Sequence, residues 1–345
     1  MLMRYLITLL LICFSLTGCK KDEKPADGAG TGTGEAPAQV VLQLNWKPEP
    51  QFGGFYAIAE KGFDGQNGLV VEVSPGGAGT PTVQMVGAGR VDFAVVSGDE
   101  LVIARHRGND VVALFAVYQT NPQGLMTRAD RGFKSIGDIF AAPGTVAMQK
   151  GLPYSNFLQK KYGFDKVQIV PSPFGDLSQY RTNPTYTMQC FVTSEPIAAD
   201  KTGIKAQTFL IAESGYNPYT TVVVTRGEVL RKNPDLVKRV TRAIEQGWAA
   251  YLADPSSTNA LMHKLNPTMD METFASSAAA QRGLIVSDEE SARNISPGVM
   301  MEERWQTLID QLVDLKVIDK PISAKDCFVR YEGDTKPSTT HDVNR

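Results

Sequence analysis

Apolar and polar positions alternate with two different periods along most of this chain. Short apolar runs typical of strands, such as 40–44, 70–73, 92–96 and 111–118, are separated by segments with apolar residues at helical spacing. The same alternation continues through 145–225. Strands that alternate with helices in this way indicate an α/β protein built on open sheets.

The last third of the chain is predicted to be mostly helical. Asn233-Pro234-Asp235 opens a long amphipathic segment whose apolar residues recur at helical spacing. Two more helices are predicted over about 271–282 and about 301–315. We interpret these helices as the cover of a sheet and not as a separate domain.

The first residues have the order of a secretory signal. Arg4 precedes an apolar run that is too short to cross a hydrocarbon core of about 30 Å. Leu16-Thr17-Gly18-Cys19 resembles a lipobox, the site at which bacterial lipoproteins are cleaved and lipid-modified. We therefore predict a signal peptide over 1–18 and lipidation of Cys19, whose thiolate would be the nucleophile. The alternative is an ordinary signal peptide with an incidental cysteine.

The residues after Cys19 are rich in lysine, glycine, alanine and proline and offer almost nothing to bury. They are predicted to form a flexible tether over 19–38. A signal, a lipid site and a tether together predict an exported protein that is anchored to a membrane and faces the periplasm or the cell exterior. No later run in the sequence has the length and apolarity of a membrane span.

Composition narrows the possible chemistry. The formal net charge is -2, so no basic surface argues for nucleic-acid binding. The three histidines do not cluster with cysteines at metal-ligand spacing, so no metal and no cofactor is expected. Cys190 and Cys327 follow the N-terminal cysteines, and they could pair or remain two buried or free thiols. No Ser/His/Asp or Cys/His arrangement indicates a nucleophilic centre.

About 300 residues remain after the signal and tether, which is enough for two lobes. We predict a first lobe made of 39–126 and 225–330, a second lobe of 127–224, and a disordered tail over 331–345. The predicted hinge crossings lie near 125–128 and 223–225.

The segment 44–57 is the most informative part of the mature chain. Trp46 ends a predicted strand, Pro48 and Pro50 interrupt regular hydrogen bonding, and Gly53-Gly54 begins a helix with free backbone donors. In open α/β sheets, ligands gather beyond the carboxyl ends of strands. An indole at that place could offer a flat apolar face to a ring, or it could simply pack against the core.

This segment resembles the N-terminal signature of ABC-transporter solute-binding proteins in the thiamine-pyrimidine-synthase-like superfamily. The later matching segments are 87–95, 97–101, 191–196, 215–219 and 232–237. The resemblance covers about 40–255 and depends on the order and spacing of the segments. It implies a type II periplasmic-binding-protein fold, in which open mixed sheets flanked by helices form two lobes joined by two hinge crossings.

The resemblance also implies a set of ligand-contacting residues in the cleft between the lobes. They are Trp46, Asn45, Ser97, Gly98, Asp99, Gln149, Glu195, Tyr216 and Tyr219. Trp46 would stack on the ligand, Tyr216 and Tyr219 would add aromatic walls, and Glu195 would accept a hydrogen bond from an amino or imide group. Ser97, Gly98 and Asp99 would be partners of the ring edge. The alternatives are a helix cap for Asp99, a solvated turn for Glu195 and rim packing for the two tyrosines.

The implied function is the capture of a small planar heterocycle, such as a thiamine-precursor pyrimidine or riboflavin, by a monomeric binding protein. The protein would deliver this ligand to an ABC permease and its ATPase. Two rival functions are an enzyme of the pyrimidine-synthase branch and a ligand sensor that is not coupled to transport. The cysteine-rich motif of the enzymatic branch is absent from this sequence.

Overall fold

The computed structural model describes residues 36–286 and 297–329. It contains two five-stranded mixed sheets with helices packed on them, so the predicted α/β class is confirmed. The predicted signal peptide, Cys19 and the predicted tail over 331–345 lie outside the described residues.

The elements follow one another along the chain with short connections. The strands are β1 (Ala38–Gln43), β2 (Leu69–Ser74), β3 (Phe93–Val96), β4 (Val111–Tyr118), β5 (Gln123–Arg128), β6 (Gly144–Ala147), β7 (Val167–Val170), β8 (Tyr186–Phe191), β9 (Ala206–Leu210) and β10 (Thr220–Arg226). The described α-helices are α1 (Gly53–Glu60), α2 (Phe63–Gln66), α3 (Thr82–Gly87), α4 (Gly98–His106), α5 (Ile136–Ala141), α6 (Pro153–Tyr162), α7 (Ser178–Thr182), α8 (Glu195–Asp200), α9 (Gly227–Lys232), α10 (Pro234–Ala253), α11 (Ser256–Leu265), α12 (Met271–Ala280), α13 (Arg282–Ile285) and α14 (Glu302–Asp314).

The first sheet has the order β2-β1-β3-β10-β4 and forms, with its helices, what we call the first lobe. Strand β1 runs parallel to β2 and β3, whereas β10 is antiparallel to β3 and β4. Both faces of β4 are buried because side chains of opposite faces enter different cores. Val112 and Leu114 join the cluster of Trp248 on α10, and Ala113 joins the cluster of Trp305 on α14.

The second sheet has the order β7-β6-β8-β5-β9 and forms, with α5 to α8, what we call the second lobe. Strand β6 is parallel to β7 and β8, and β5 is antiparallel to β8 and β9. Tyr180 of α7 is buried against Met126 and Met188 on one face of this sheet. Its hydroxyl donates to the carbonyl oxygen of Thr127 at 3.1 Å.

The chain crosses between the lobes twice, at 119–122 and at 211–219. The crossing points predicted near 125–128 and 223–225 lie inside β5 and β10, so each crossing comes a few residues earlier. Both strands are apolar along their length and pair fully within one sheet, so the apolar pattern does not mark the change of lobe.

Arg304 of α14 joins the two crossings. Its Nε donates to the carbonyl oxygen of Asn217 at 2.9 Å, and its Nη1 donates to the carbonyl oxygen of Gln119. The side-chain oxygen of Asn217 also accepts from the backbone nitrogen of Asn121 at 2.9 Å. One guanidinium therefore holds backbone from both connections.

Helix α1 begins at Gly53, as predicted, but the two glycines serve packing and not the exposure of backbone donors. A Cβ on Gly54 would lie 2.3 Å from ring atoms of Trp248, and one on Gly53 would lie 2.1 Å from the ring of Tyr251. The absence of side chains lets α1 lie directly against α10.

Cys190 and Cys327 are both free and buried, so the structure has the two separate thiols and not the disulfide. Within 36–286 and 297–329, no helix is long and apolar enough to span a bilayer. The same residues contain no group of three or more His, Cys, Asp or Glu side chains arranged to hold a metal ion.

Candidate functional site

The loop 44–52 leaves the carboxyl end of β1 and is held in one shape by buried side-chain amides. Asn266 donates from Nδ2 to the carbonyl oxygen of Pro48 at 3.0 Å, and Gln281 donates from Nε2 to that of Pro50 at 3.0 Å. The two amides satisfy backbone carbonyls that the prolines keep out of regular structure. The loop is therefore a fixed part of the first lobe.

A second loop supports this one from below. The backbone nitrogen of Gly76 donates to the carbonyl oxygen of Trp46 at 2.9 Å. A Cβ on Gly76 would lie 2.3 Å from the carbonyl oxygen of Leu44, so a side chain would separate the two loops. Gly76 thus fixes the backbone that carries the indole.

Trp46 is half-buried and contacts its own loop through one polar atom. Its Nε1 donates to Oε1 of Glu49 at 3.2 Å. The ammonium of Lys47 lies 5.9 Å from the centroid of the indole, within the range of a cation–π contact. The indole and the Glu49 carboxylate are therefore placed side by side at the surface of the first lobe.

Glu49 of the first lobe interacts with Glu195 of the second. Burial raises the pKa of Glu49 to about 7, and the charge of Glu195 contributes to this rise. The hydrogen bond from Trp46 and the charge of Lys47 act in the opposite direction. Glu195 begins α8, and its carboxylate accepts from the backbone nitrogen of Phe191 at 2.8 Å. Burial raises the pKa of Glu195 as well.

Tyr118 and Thr193 provide a further contact between the lobes beside these carboxylates. Tyr118 ends β4, and its hydroxyl donates to Oε1 of Gln281 at 2.7 Å. Burial, and then the charge of Glu49, raise the pKa of Tyr118, while a hydrogen bond with Thr193 lowers it. Tyr118, Glu49 and Trp46 from one lobe thus meet Thr193 and Glu195 from the other.

Phe174 is the aromatic residue that the second lobe places beside Trp46. The two ring centroids are 6.2 Å apart, and the ring planes are inclined by 30°. Phe174 lies in the loop between β7 and α7 and has a backbone φ of 47°.

The structure does not bring Tyr216 or Tyr219 to this pair of rings. Tyr216 packs 5.3 Å from Phe157, and its hydroxyl donates to Oδ2 of Asp99 at 3.0 Å. The Tyr219 hydroxyl accepts from the backbone nitrogen of Met301 at 2.8 Å. Both tyrosine rings are buried at the second crossing, and their contact with a ligand stays a prediction.

Ser97, Gly98 and Asp99 already have partners within the protein. The nitrogen of Gly98 donates to the carbonyl oxygen of Tyr219 at 2.8 Å, and that of Ser97 donates to Oε2 of Glu100 at 2.9 Å. Ser97 is the N-cap of α4, which begins at Gly98, so the alternative of Asp99 as the cap does not hold. The Asp99 carboxylate instead accepts from Ser97 and from a tyrosine hydroxyl. A ligand contact by these three residues stays a prediction.

Asn45 and Gln149, the remaining candidates, lie on different lobes. Asn45 is half-buried beside Trp46, and Gln149 follows β6. The backbone nitrogen of Gln149 donates to the hydroxyl of Tyr154 at 2.8 Å, and its Oε1 accepts from Gln189 Nε2 at 3.4 Å. Their role toward a ligand is also untested by this geometry.

Sequence reasoning missed four residues of this meeting point, namely Glu49, Tyr118, Phe174 and Thr193. Glu49 stands between two prolines in the loop of Trp46, and Phe174 follows Pro173 just beyond the carboxyl end of a strand. Position beyond a strand end could have drawn attention to both residues. The sequence carries no signal for the contact between Tyr118 and Thr193.

A cavity of about 240 Å³ lies elsewhere, at the second crossing. Its lining residues are Gly215, Asn217, Glu303, Arg304, Thr307, Leu308 and Gln311. None of the sequence-predicted site residues lines it, so this cavity belongs to the hinge and not to the place where Trp46 meets the second lobe.

Comparison with known proteins gives the family. Residues 49–258, more than half of the chain, match the family described as NMT1/THI5 like. The chain belongs to the NMT1/THI5-like family. The family and the periplasmic-binding-protein fold predicted from the sequence are thereby confirmed at this level.

Relatives of this NMT1/THI5-like chain carry names of two kinds. The riboflavin-binding protein RibY of Chloroflexus aurantiacus is 23% identical over 273 residues, which are 74% of this chain and 76% of RibY. The formylaminopyrimidine-binding protein of Halalkalibacterium halodurans is 20% identical, over 94% of this chain and 97% of its own. A 4-amino-5-hydroxymethyl-2-methylpyrimidine phosphate synthase of Legionella pneumophila is 19% identical, over 86% of this chain and 93% of its own.

A solved structure shares the fold of this NMT1/THI5-like protein. The periplasmic aliphatic sulphonate binding protein SsuA from Escherichia coli superposes with a TM-score of 0.62 at 14% identity. The match covers 88% of this chain and 98% of SsuA. At this identity, the likeness establishes the fold alone.

Proposed function

We propose that this NMT1/THI5-like protein is the solute-binding component of an ABC-type importer and captures a small planar heterocycle between its two lobes. The fold supports the general role, because it places two lobes around two crossings in the manner of periplasmic binding proteins. The names of two relatives, which are binding proteins for riboflavin and formylaminopyrimidine, support the choice of a heterocycle.

One observation carries the choice of ligand. Trp46 and Glu49 of the first lobe lie at the same place as Glu195 of the second. An indole offers an apolar face to a ring, and two carboxylates offer acceptors to N–H groups at the ring edge. The same carboxylates would repel a sulfonate, so the site suits a ring that carries hydrogen-bond donors.

The mechanism follows from a ligand that touches both lobes. A ring held by Trp46 and Glu49 on one side and by Glu195 on the other gains contacts only when the lobes are together. Its binding free energy therefore favours the closed arrangement. We propose that this closed form, as a monomer, docks on a permease whose ATPase drives import.

We also propose that the protein is exported and anchored through a lipid on Cys19. The lipobox-like order of Leu16 to Cys19 supports this proposal. The mass of the N-terminal peptide from the native membrane fraction tests it, since the proposal requires cleavage before Cys19 and acyl chains on that residue. An unmodified Cys19 would contradict the anchor without affecting the ligand site.

The Legionella relative favours a synthase as the second candidate. Two residues argue against thiol chemistry in this chain. Burial raises the pKa of Cys190 well above the ordinary value and raises that of Cys327 to about 12, so neither thiol forms a thiolate readily. The lack of the cysteine-rich motif of the enzymatic branch points the same way.

Calorimetry on the purified protein with riboflavin, formylaminopyrimidine and methanesulfonate tests the proposed function. We expect one planar compound to bind and methanesulfonate not to bind. Trp46→Ala should weaken the binding of the planar compound by about 1–3 kcal/mol, the range of an aromatic stack. Leu265→Ala, which shortens another exposed apolar side chain of the first lobe, is the control. Tight binding of methanesulfonate alone, or an unchanged affinity in Trp46→Ala, would refute the proposal.

A further inference from the structure

We infer that Phe174 is the second aromatic wall of the ligand site, so that a planar ring stacks between it and Trp46. This inference rests on the proposed function and deepens it, because it identifies what the second lobe contributes to ring recognition. Sequence reasoning had placed the additional aromatic walls at Tyr216 and Tyr219, whose rings are buried elsewhere.

The distance between the two rings supports a sandwich. The centroids of Trp46 and Phe174 are 6.2 Å apart, with a tilt of 30° between the planes. A ring between them needs one contact of roughly 3.5–4 Å on each side, so the pair has to separate by about 1–2 Å. Because the residues belong to different lobes, a small hinge movement provides this separation.

The exposure of Phe174 shows that the core does not require its ring. Phe174 is 51% exposed, whereas Tyr180 and Tyr186, which flank it on α7 and β8, are almost fully buried. Trp46 is the ring that Phe174 meets within contact range among the described aromatic side chains. The phenyl ring is thus available to a ligand that lies against the indole.

The backbone of Phe174 adds a separate argument. Its φ of 47° lies in the left-handed region, which is unfavourable for a bulky L residue and natural for glycine. Strained residues of this kind occur preferentially at ligand clamps, where the surrounding structure holds them in place. An aromatic side chain in such a position indicates that the ring itself is needed.

The loop around Phe174 is anchored firmly enough to hold that conformation. The carboxylate of Asp176 accepts from the backbone nitrogen of Ser178 at 2.9 Å and from its hydroxyl at 2.6 Å. The backbone nitrogen of Asp176 donates to the carbonyl oxygen of Pro173 at 3.2 Å. The loop is thereby tied to the start of α7, and Phe174 is presented on a defined turn.

Three variants at this position separate the ring from the backbone. Phe174→Ala removes the ring and keeps a side chain in the left-handed conformation, whereas Phe174→Gly removes the ring and relaxes the backbone. Phe174→Tyr keeps an aromatic face. Leu152→Ala, which truncates another exposed apolar residue of the second lobe, is the matched control.

The test is calorimetry with riboflavin and formylaminopyrimidine as probes, together with thermal unfolding of every variant. Phe174→Ala and Phe174→Gly should each weaken binding roughly five- to a hundredfold, the range of base–aromatic stacking, and Phe174→Tyr should stay within threefold or so. Phe174→Gly should unfold at the same or a higher temperature than the unchanged protein, so its loss of affinity cannot come from loss of fold.

The outcomes separate this inference from the proposed function. Loss of affinity in Trp46→Ala with none in either truncation of Phe174 would overturn the inference and leave the function standing. Tighter binding in Phe174→Ala would also overturn it, since the ring would then cover an empty site. If the unchanged protein binds neither probe, the proposed planar ligand fails and the inference fails with it.

Discussion

The ammonium of Lys201 lies 2.6 Å from a carboxylate oxygen of Asp270 and joins the two lobes. Lys201 directly follows α8 of the second lobe, whereas Asp270 precedes α12, whose Phe274 is buried in the core of the first lobe. Glu272 lies 3.2 Å from the same ammonium. An ion pair across the lobes can form only while they are together, so it contributes to closure and therefore to affinity.

Reversing the charge of Lys201 should weaken ligand binding. Exposed ion pairs contribute about 0–1 kcal/mol, so we expect Lys201→Glu to raise the Kd of the planar ligand roughly two- to fivefold. Adding Glu272→Lys should restore part of the affinity; Asp270 is unsuitable because its carboxylate also caps α12 through Thr273. The measurement is calorimetry at low and high salt, since screening should reduce the difference.

Lys205→Glu makes the same change of charge nearby on the second lobe and is the control. An equal loss of affinity in Lys205→Glu would mean that the net charge of the lobe matters and not the contact with α12. The absence of any recovery in the double variant would contradict the interpretation in the same way.

The stability of the protein should fall as pH rises through neutrality because of Glu49. Its pKa is about 7 in the folded protein and near 4.5 when exposed, so the folded state binds the proton more strongly. This contribution is fully present below pH 4.5 and is lost as the pH rises through about 7. At 1.36 kcal/mol per pKa unit, it amounts to roughly 3 kcal/mol at most. Urea unfolding between pH 5 and pH 8 measures it.

Glu49→Gln replaces the protonated acid with an uncharged side chain and should flatten this pH dependence. Glu195, Lys47, Trp46 and Tyr118 remain around the position, and the raised pKa of Glu195 contributes a smaller dependence of the same sign. An equally steep loss of stability in Glu49→Gln would assign the effect to other groups.

Gly54→Ala should destabilise the first lobe without touching the site. The added Cβ would lie 2.3 Å from the ring of Trp248, which has no free volume around it, so α1 and α10 would have to move apart. Overpacking of this kind costs about 1–3 kcal/mol. Gly65→Ala on α2 is the control, because its Cβ would meet open space. Equal unfolding temperatures for the two variants would show that α1 and α10 are packed less closely than described.

Asn266→Ala should reduce both stability and affinity. It leaves the carbonyl oxygen of Pro48 without its donor, which costs roughly 1–3 kcal/mol in a buried place, and it releases the loop that positions Trp46. Asn67→Ala removes a comparable side-chain bond, from Nδ2 to the carbonyl oxygen of Phe63 at 2.7 Å, at the far end of the first lobe. We expect that control to lose stability only. An Asn266→Ala variant that binds as well as the Asn67→Ala variant would show that the loop keeps its shape unaided.

The fold could be predicted from the sequence because it depends on local periods. Apolar runs such as 111–118 are buried on both faces and read as strands in any context, and the helix opened by Asn233 shows its apolar stripe directly. The sheet to which each strand belongs was less accessible. Strands β5 and β10 are apolar on both sides of each crossing, so the chain changes lobe without a change of pattern.

The site could be predicted only where one loop carries the information. Trp46 stands out within its own segment, but the raised pKa of Glu49 depends on Glu195, which approaches only after folding. Phe174 reads as part of a Pro-Gly turn until the second lobe brings its ring to the indole. Tyr216 illustrates the opposite case, since an aromatic loop matched the family while its hydroxyl is bound to Asp99.

The guanidinium of Arg304 has a consequence for how the lobes separate. Because it bonds backbone of both connections, neither connection can bend far without the other, and the movement should have a single rotational degree of freedom. One spectroscopic distance between a label on α10 and a label on α6 would then describe the whole path from apart to together. A solute, a salt change or a substitution could be placed on the same one-dimensional scale.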